Sequence, residues 1–196
     1  MSRGPTLLPV LLTSDQTRDD ELAHRPLFEG APDDAPVVGL AEDGEPISVD
    51  RLDELGADID EAVDDALEEL TASGDAEWAE QDVPVKGGGT VKILVREGDG
   101  AASEDLLVPD VLIDAAESLG AKALAVAVPI RGVLLATDAD QKWQLVAAFA
   151  TAARMQHAAG EDDALWPGVL RVEDGHVTGV IALRTTSLDA ASRRGS

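Results

Sequence analysis

The chain has 196 residues, of which 39 are acidic and 15 basic, for a formal net charge of −24. That length suits one domain with its own core, and a hydrophobic fraction of 44% argues against disorder throughout. The absence of Cys excludes disulfides, thiol nucleophiles and Cys-ligated metals, while three Trp, two Phe and no Tyr are too few to stack single-stranded nucleic acid.

In chain order, Leu7 to Leu12 is a short apolar run that reads as an edge strand tolerating Pro9. Residues 14–35 hold two prolines, a glycine and many acids without periodicity, so a mobile loop is expected. Val37 to Leu40 and Ile47 to Val49 flank Glu42-Asp43-Gly44-Glu45, whose Asp-Gly pair permits the positive φ of a tight hairpin. Asp58 then caps a helix in which Ile59, Val63, Ala66, Leu67 and Leu70 form the apolar face. Asp60, Glu61, Asp64, Asp65, Glu68 and Glu69 fill the other faces, and Gly74 is expected to end it.

Val91, Ile93 and Val95 alternate with Lys92, Leu94 and Arg96, which predicts a half-buried strand entered through a flexible turn at Lys86-Gly87-Gly88-Gly89. Ser103 is placed to cap a helix reaching Leu119, with Gly120 closing it and Pro109 kinking or splitting it. The all-apolar Ala123 to Val128 reads as a strand covered on both faces, turning through Pro129 to Gly132 into Val133 to Ala136. Asp138 or Asp140 is expected to cap a long, deeply packed helix to about Ala158, apolar nearly all round. Leu170 to Val172 and Val177 to Leu183 join through Glu173-Asp174-Gly175-His176, the cleanest hairpin signal in the chain.

Hairpins outnumber βαβ crossovers, so the expected fold is α+β, a largely antiparallel sheet with two or three helices packed on one face. The expected organisation is an acidic, partly flexible segment at 1–36, a single α+β domain at 37–186 and a frayed tail at 187–196. The longest apolar runs fall far short of the ~20 residues needed to span a bilayer. Met1 to Thr13 lacks the long apolar stretch and cleavage site of a signal peptide. A soluble cytoplasmic protein is expected.

The negative charge is uneven. Residues 1–98 hold 25 acidic and 7 basic side chains, residues 99–196 hold 14 and 8, and only four of the basic residues are lysines. So acidic a surface repels phosphates and anionic lipids, which excludes nucleic acid and membrane as expected partners. It suits either a solvated acidic helix, adaptation to high salt, or a docking surface for a basic protein, in which Asp60, Asp64 and Glu68 would take part.

Catalytic and metal signals are sparse. His24, His157 and His176 lack metal-ligand spacing, and the acidic loops lack the closing Glu of a calcium loop. Lys86 precedes its glycines, the reverse of a phosphate-binding loop, and no cofactor motif is present. Ser103 sits in no Gly-x-Ser-x-Gly elbow, so neither a catalytic set nor a metal site is assigned. Arg131, at a turn leaving a buried strand, could fix a carboxylate, and with Asp138, Asp140 or Ser103 it would form the site of a hydrolase-like or ligand-binding enzyme. Nothing in the sequence marks an oligomeric state.

Three stretches in order carry a resemblance over about Val49 to Gly179. They are Ala66-Leu67-Glu68-Glu69-Leu70, then Ala101-Ala102-Ser103 leading into Leu106 to Leu112, then Ala125-Val126-Ala127-Val128-Pro129-Ile130-Arg131 before Gly132. In these the chain resembles the YtpQ-like family of bacterial proteins, a domain of unknown function. The family pattern places Asn at the position of Glu69 and Asp at that of Gly132. The resemblance implies a soluble cytosolic protein with no established activity. The resemblance leaves the role open; the lack of a coherent catalytic set and the acidic helix lead to the expectation of a non-catalytic binding or regulatory protein, an adaptor or inhibitor of a basic partner.

Overall fold

The computed structural model describes residues 6–18, 21–70, 76–85, 88–98 and 102–182. It is an α+β fold with two antiparallel sheets. The smaller sheet is N-terminal. Its strands β1 (Leu7–Leu12) and β2 (His24–Pro26) flank β3 (Val37–Glu42), which also pairs with β4 (Glu45–Pro46). β3 turns into β4 through Asp43 and Gly44 at φ 53° and 87°, the mirror-image turn that an Asp-Gly hairpin needs.

β1 is an edge strand with Pro9 opposite Leu40, where the missing N–H costs little. The segment expected to be acidic and partly flexible, 1–36 with its loop at 14–35, contains the two strands β1 and β2. Leu11 and Leu12 are fully buried, Ala23 and Ala35 are buried, and β2 holds His24–Pro26 against β3.

The chain then makes two helices at an elbow. In α1 (Val49–Leu55) the Ser48 side chain accepts from the Arg51 N–H at 3.1 Å, and Gly56 closes the helix at φ 67°. Ser48 and Val49 therefore do not extend the hairpin; pairing stops at Ile47, whose N–H reaches the Leu40 carbonyl. In α2 (Ile59–Glu69) Asp58 is the expected cap, accepting from the N–H groups of Asp60 and Glu61. Leu70 is the C-terminal cap, and Gly74 lies outside the described residues.

The larger sheet has six strands in the order β10-β9-β7-β8-β6-β5, every neighbouring pair antiparallel. They are β5 (Trp78–Pro84), β6 (Thr90–Glu97), β7 (Ala123–Ala127), β8 (Val133–Asp138), β9 (Leu170–Glu173) and β10 (His176–Val180). Between β6 and β7 a 3-10 turn at Glu104–Leu107 leads into α3 (Pro109–Leu119). Pro109 occupies the first helical turn, where its missing N–H is harmless, so the expected kink is a split.

The helices divide between the faces of this sheet instead of gathering on one. Successive side chains of a strand point to opposite faces. Leu94, Leu124, Val126, Leu134 and Leu170 face α3 and the small sheet with α2, in one continuous core. Ile93, Val95, Ala125, Ala127 and Leu135 face α4 (Trp143–Ala159). The fully apolar β7 follows from this two-sided cover. α4 buries only the stripe Val146, Phe149, Ala150 and Ala153, while Trp143 and Met155 are exposed, which corrects the expectation of a helix packed all round. Asp174 and Gly175, at φ 50° and 79°, close the β9–β10 hairpin as expected.

Candidate functional site

The residues proposed for a hydrolase-like site are divided between two ends of the β7–β8 hairpin. Arg131 lies in the connection between the strands, and Asp138 ends β8. Six residues of strand separate them, about 20 Å at ~3.3 Å per residue. Ser103 stays at the Arg131 end, Asp140 at the Asp138 end.

At the Arg131 end the groups form a polar knot between the two sheets. Ser103 is fully buried and makes no side-chain cap. Its hydroxyl donates to Glu104 Oε2 at 2.6 Å and accepts from the Gly132 N–H at 3.2 Å. The expected helix-capping role is replaced by a cross-link from the 3-10 turn to the β7–β8 connection. Glu104 Oε1 accepts the Leu11 N–H at 3.2 Å. Burial pushes the Glu104 carboxyl above the usual carboxylate range, against the opposing pull of the Ser103 hydroxyl, the Leu11 N–H and the nearby Arg131. Arg131 donates to the Leu11 carbonyl at 3.3 Å and to Gln16 Oε1 at 3.2 Å, so its guanidinium braces the N-terminal strand.

Beside the knot lies a buried ion pair. Arg96 Nε donates to Asp105 Oδ2 at 2.5 Å, the same guanidinium donates to the Ala76 carbonyl, and its Cζ stands 6.0 Å from the Trp78 ring centre. Glu104, Asp105 and Arg96 were not singled out from the sequence. Two adjacent acids look like solvated surface there, and only the topology shows them under β1 and β6.

At the other end Asp138 Oδ1 accepts the Asp140 N–H at 2.9 Å, a local turn. Asp140 Oδ1 takes two bonds from Arg171, each 3.2 Å, while Arg171 also donates to Glu173 at 2.7 Å. Neither aspartate caps α4, whose N-terminal neighbour is Lys142 with no side-chain cap. This end holds an exposed ion network. Among the described residues no group of three or more His, Asp or Glu is placed to hold a metal ion.

The acidic surface is built differently. Residues 42–70 contain 13 acidic side chains and one basic one, Arg51. The apolar face of α2, centred on Val63 and Ala66, seats it on the small sheet, which turns its carboxylates outward. Asp60 and Asp64 are partly answered from within the chain. Arg25, on β2, reaches Asp64 Oδ1 at 2.7 Å and Asp60 Oδ1 at 3.6 Å. Arg51 is forked between Glu42 at 3.0 Å and Glu54 at 3.1 Å, and this bonding holds the Glu42 carboxyl below the usual range. Asp50, Asp53, Glu61, Asp65 and Glu68 are exposed and enter no ion pair among the described residues. Of the three sequence candidates on this helix, Glu68 alone belongs to that unanswered set. Glu61 and Asp65 share its stripe at i, i+4 and i+7.

No protein-family model matches the chain, and neither a curated protein nor a solved structure does. No helix among the described residues is long and apolar enough to cross a membrane.

Proposed function

We propose that the protein is a non-catalytic binding or regulatory protein whose α1–α2 surface docks a basic protein partner. The observation that carries this reading is the unanswered row of carboxylates Glu61, Asp65 and Glu68 on a helix anchored by its opposite face. A fixed array of one sign steers a partner of opposite charge and selects its orientation. Arg25 and Arg51 supply an internal example, since each already seats a guanidinium on carboxylates of this region. A hydrolase-like role has less support, as Arg131 and Ser103 stand a strand's length from Asp138 and Asp140.

Affinity capture with the immobilised protein at about 50 mM and 500 mM KCl tests the proposal, the Debye length shrinking severalfold over that range. A specific basic protein recovered at low salt and released at high salt is the expected outcome. Recovery of no specific protein at either salt counts against it.

A further inference from the structure

Beside the acidic surface, β2 and the α1–α2 elbow enclose an open cleft of about 340 Å³. Its apolar lining is Leu22, Ala23, Val49, Leu52, Ala57 and Ile59. Val49 is 41% exposed there, a large apolar side chain left uncovered in the first turn of α1. Asp53 and Asp58 also line the cleft, one on each helix of the elbow, and His24 lines it from β2 with Nδ1 within 2.8 Å of the Leu22 carbonyl oxygen. Gly56, at φ 67°, sets the angle between the helices.

We propose that this cleft receives one apolar side chain, of leucine size, from a basic segment of the protein partner, with the flanking Lys or Arg residues reaching Asp53 and Asp58. The inference rests on the acidic-surface reading and adds the element that gives it register. An apolar floor beside carboxylates suits a basic amphipathic segment, because long cationic side chains lay their methylene stems on apolar surface and keep their charge in the acidic field. Charge complementarity favours this occupant over an acidic or purely apolar one, which the surrounding Asp50, Asp60 and Glu61 would repel or fail to engage. Arg25 sits one residue from His24 and holds Asp64, so the row of guanidinium sites begins at the cleft's edge.

The test uses two fluorescently labelled 12-residue peptides of glycine and serine with four arginines, one carrying a central leucine and the other a central serine. Polarisation titrations at low salt against the full chain should show the leucine peptide binding at least about tenfold tighter, the effect of burying one such side chain. In Val49→Asp, a substitution at an exposed position where an acid suits the helix N-terminus, that advantage should vanish while the serine peptide binds as before or tighter. A thermal melt of the variant verifies the fold. Equal binding of both peptides to the native chain, or a leucine advantage that survives Val49→Asp, overturns the cleft assignment and leaves the acidic-surface reading standing. Failure of both peptides to bind overturns both.

Discussion

The backbone N–H of Leu11 donates to the carboxylate of Glu104 at 3.2 Å, a buried bond between residues 93 positions apart. It joins the edge of the small sheet to the 3-10 turn beneath it, and Arg131 completes the join by donating to the Leu11 carbonyl. Glu104→Ala leaves a buried N–H and a buried hydroxyl without their acceptor, which should cost about 2–4 kcal/mol in urea denaturation. Glu104→Gln keeps an acceptor for Leu11 and should cost less. The pH dependence carries a definite sign. Because burial raises the Glu104 pKa, the folded protein holds that proton more firmly than the unfolded chain. Its contribution is full below the unfolded value and is lost as pH rises through the folded one. Stability of the native chain relative to Glu104→Gln should therefore fall as pH rises from the unfolded carboxyl value, about 4, through the raised folded one. A flat difference curve would contradict this.

Arg96 and Asp105 form a buried ion pair, 6% and 2% exposed. Asp105→Asn removes a buried carboxylate charge from beside the Arg96 guanidinium and should destabilise by about 3–5 kcal/mol. Replacing both together, Arg96→Met with Asp105→Leu, should recover most of that loss, since neither charge then has to be desolvated. Paired denaturation curves for the single and double variants decide it. A double variant as unstable as the single one would show that the pair does more than neutralise itself.

The two Asp-Gly hairpins have the same turn chemistry and different surroundings. Gly44 at φ 87° has nothing near its missing Cβ, so Gly44→Ala should cost only the backbone strain, about 1–2 kcal/mol. A Cβ on Gly175 would stand 2.9 Å from the Pro109 carbonyl oxygen and 3.0 Å from its Cβ. Gly175→Ala should therefore cost about 1–3 kcal/mol more than Gly44→Ala, because it also pushes the hairpin off the start of α3. Equal melting temperatures for the two variants would rule out that contact.

Much of the fold was legible because local chemistry agreed with the final packing. Asp58, Gly120, Pro109 and both Asp-Gly pairs act where their residue types favour it. The uniform apolarity of Ala123–Ala127 marked it as covered on both faces, but not that the cover is α4 on one side and α3 with the small sheet on the other. β5 was not legible: its Glu80, Gln81 and Asp82 are exposed on an edge strand, and it acquires its pairing from β6. α1 had its signals in Ser48 and Gly56, but seven residues show too little periodicity to outweigh the preceding hairpin. At the candidate sites, the acidic helix was readable from spacing. The Glu104 knot was not, because its partners Leu11 and Gly132 come from distant segments and contribute backbone groups. The same holds for Asp140, whose partner Arg171 is supplied by β9.

The crowding of carboxylates on α1 and α2 should show in the salt dependence of stability. Screening their mutual repulsion should raise the melting temperature between about 20 and 500 mM KCl. A rise of about 2–4 °C corresponds to roughly 1 kcal/mol in a chain of this size. Beyond that range a docking surface predicts a plateau. A melting temperature that keeps climbing into molar KCl would instead mark the acidity as salt adaptation.

Docking of a basic protein on the unanswered carboxylates of α2 is the function proposed. Its most direct measurement compares affinity capture by the native chain with capture by Glu61→Gln/Asp65→Asn/Glu68→Gln, a variant that leaves the ion pairs of Arg25 and the apolar face intact. A basic protein retained by the native chain at about 50 mM KCl should be lost by the variant, and by both at about 500 mM. Equal retention by the two chains, or a partner indifferent to salt, would contradict it.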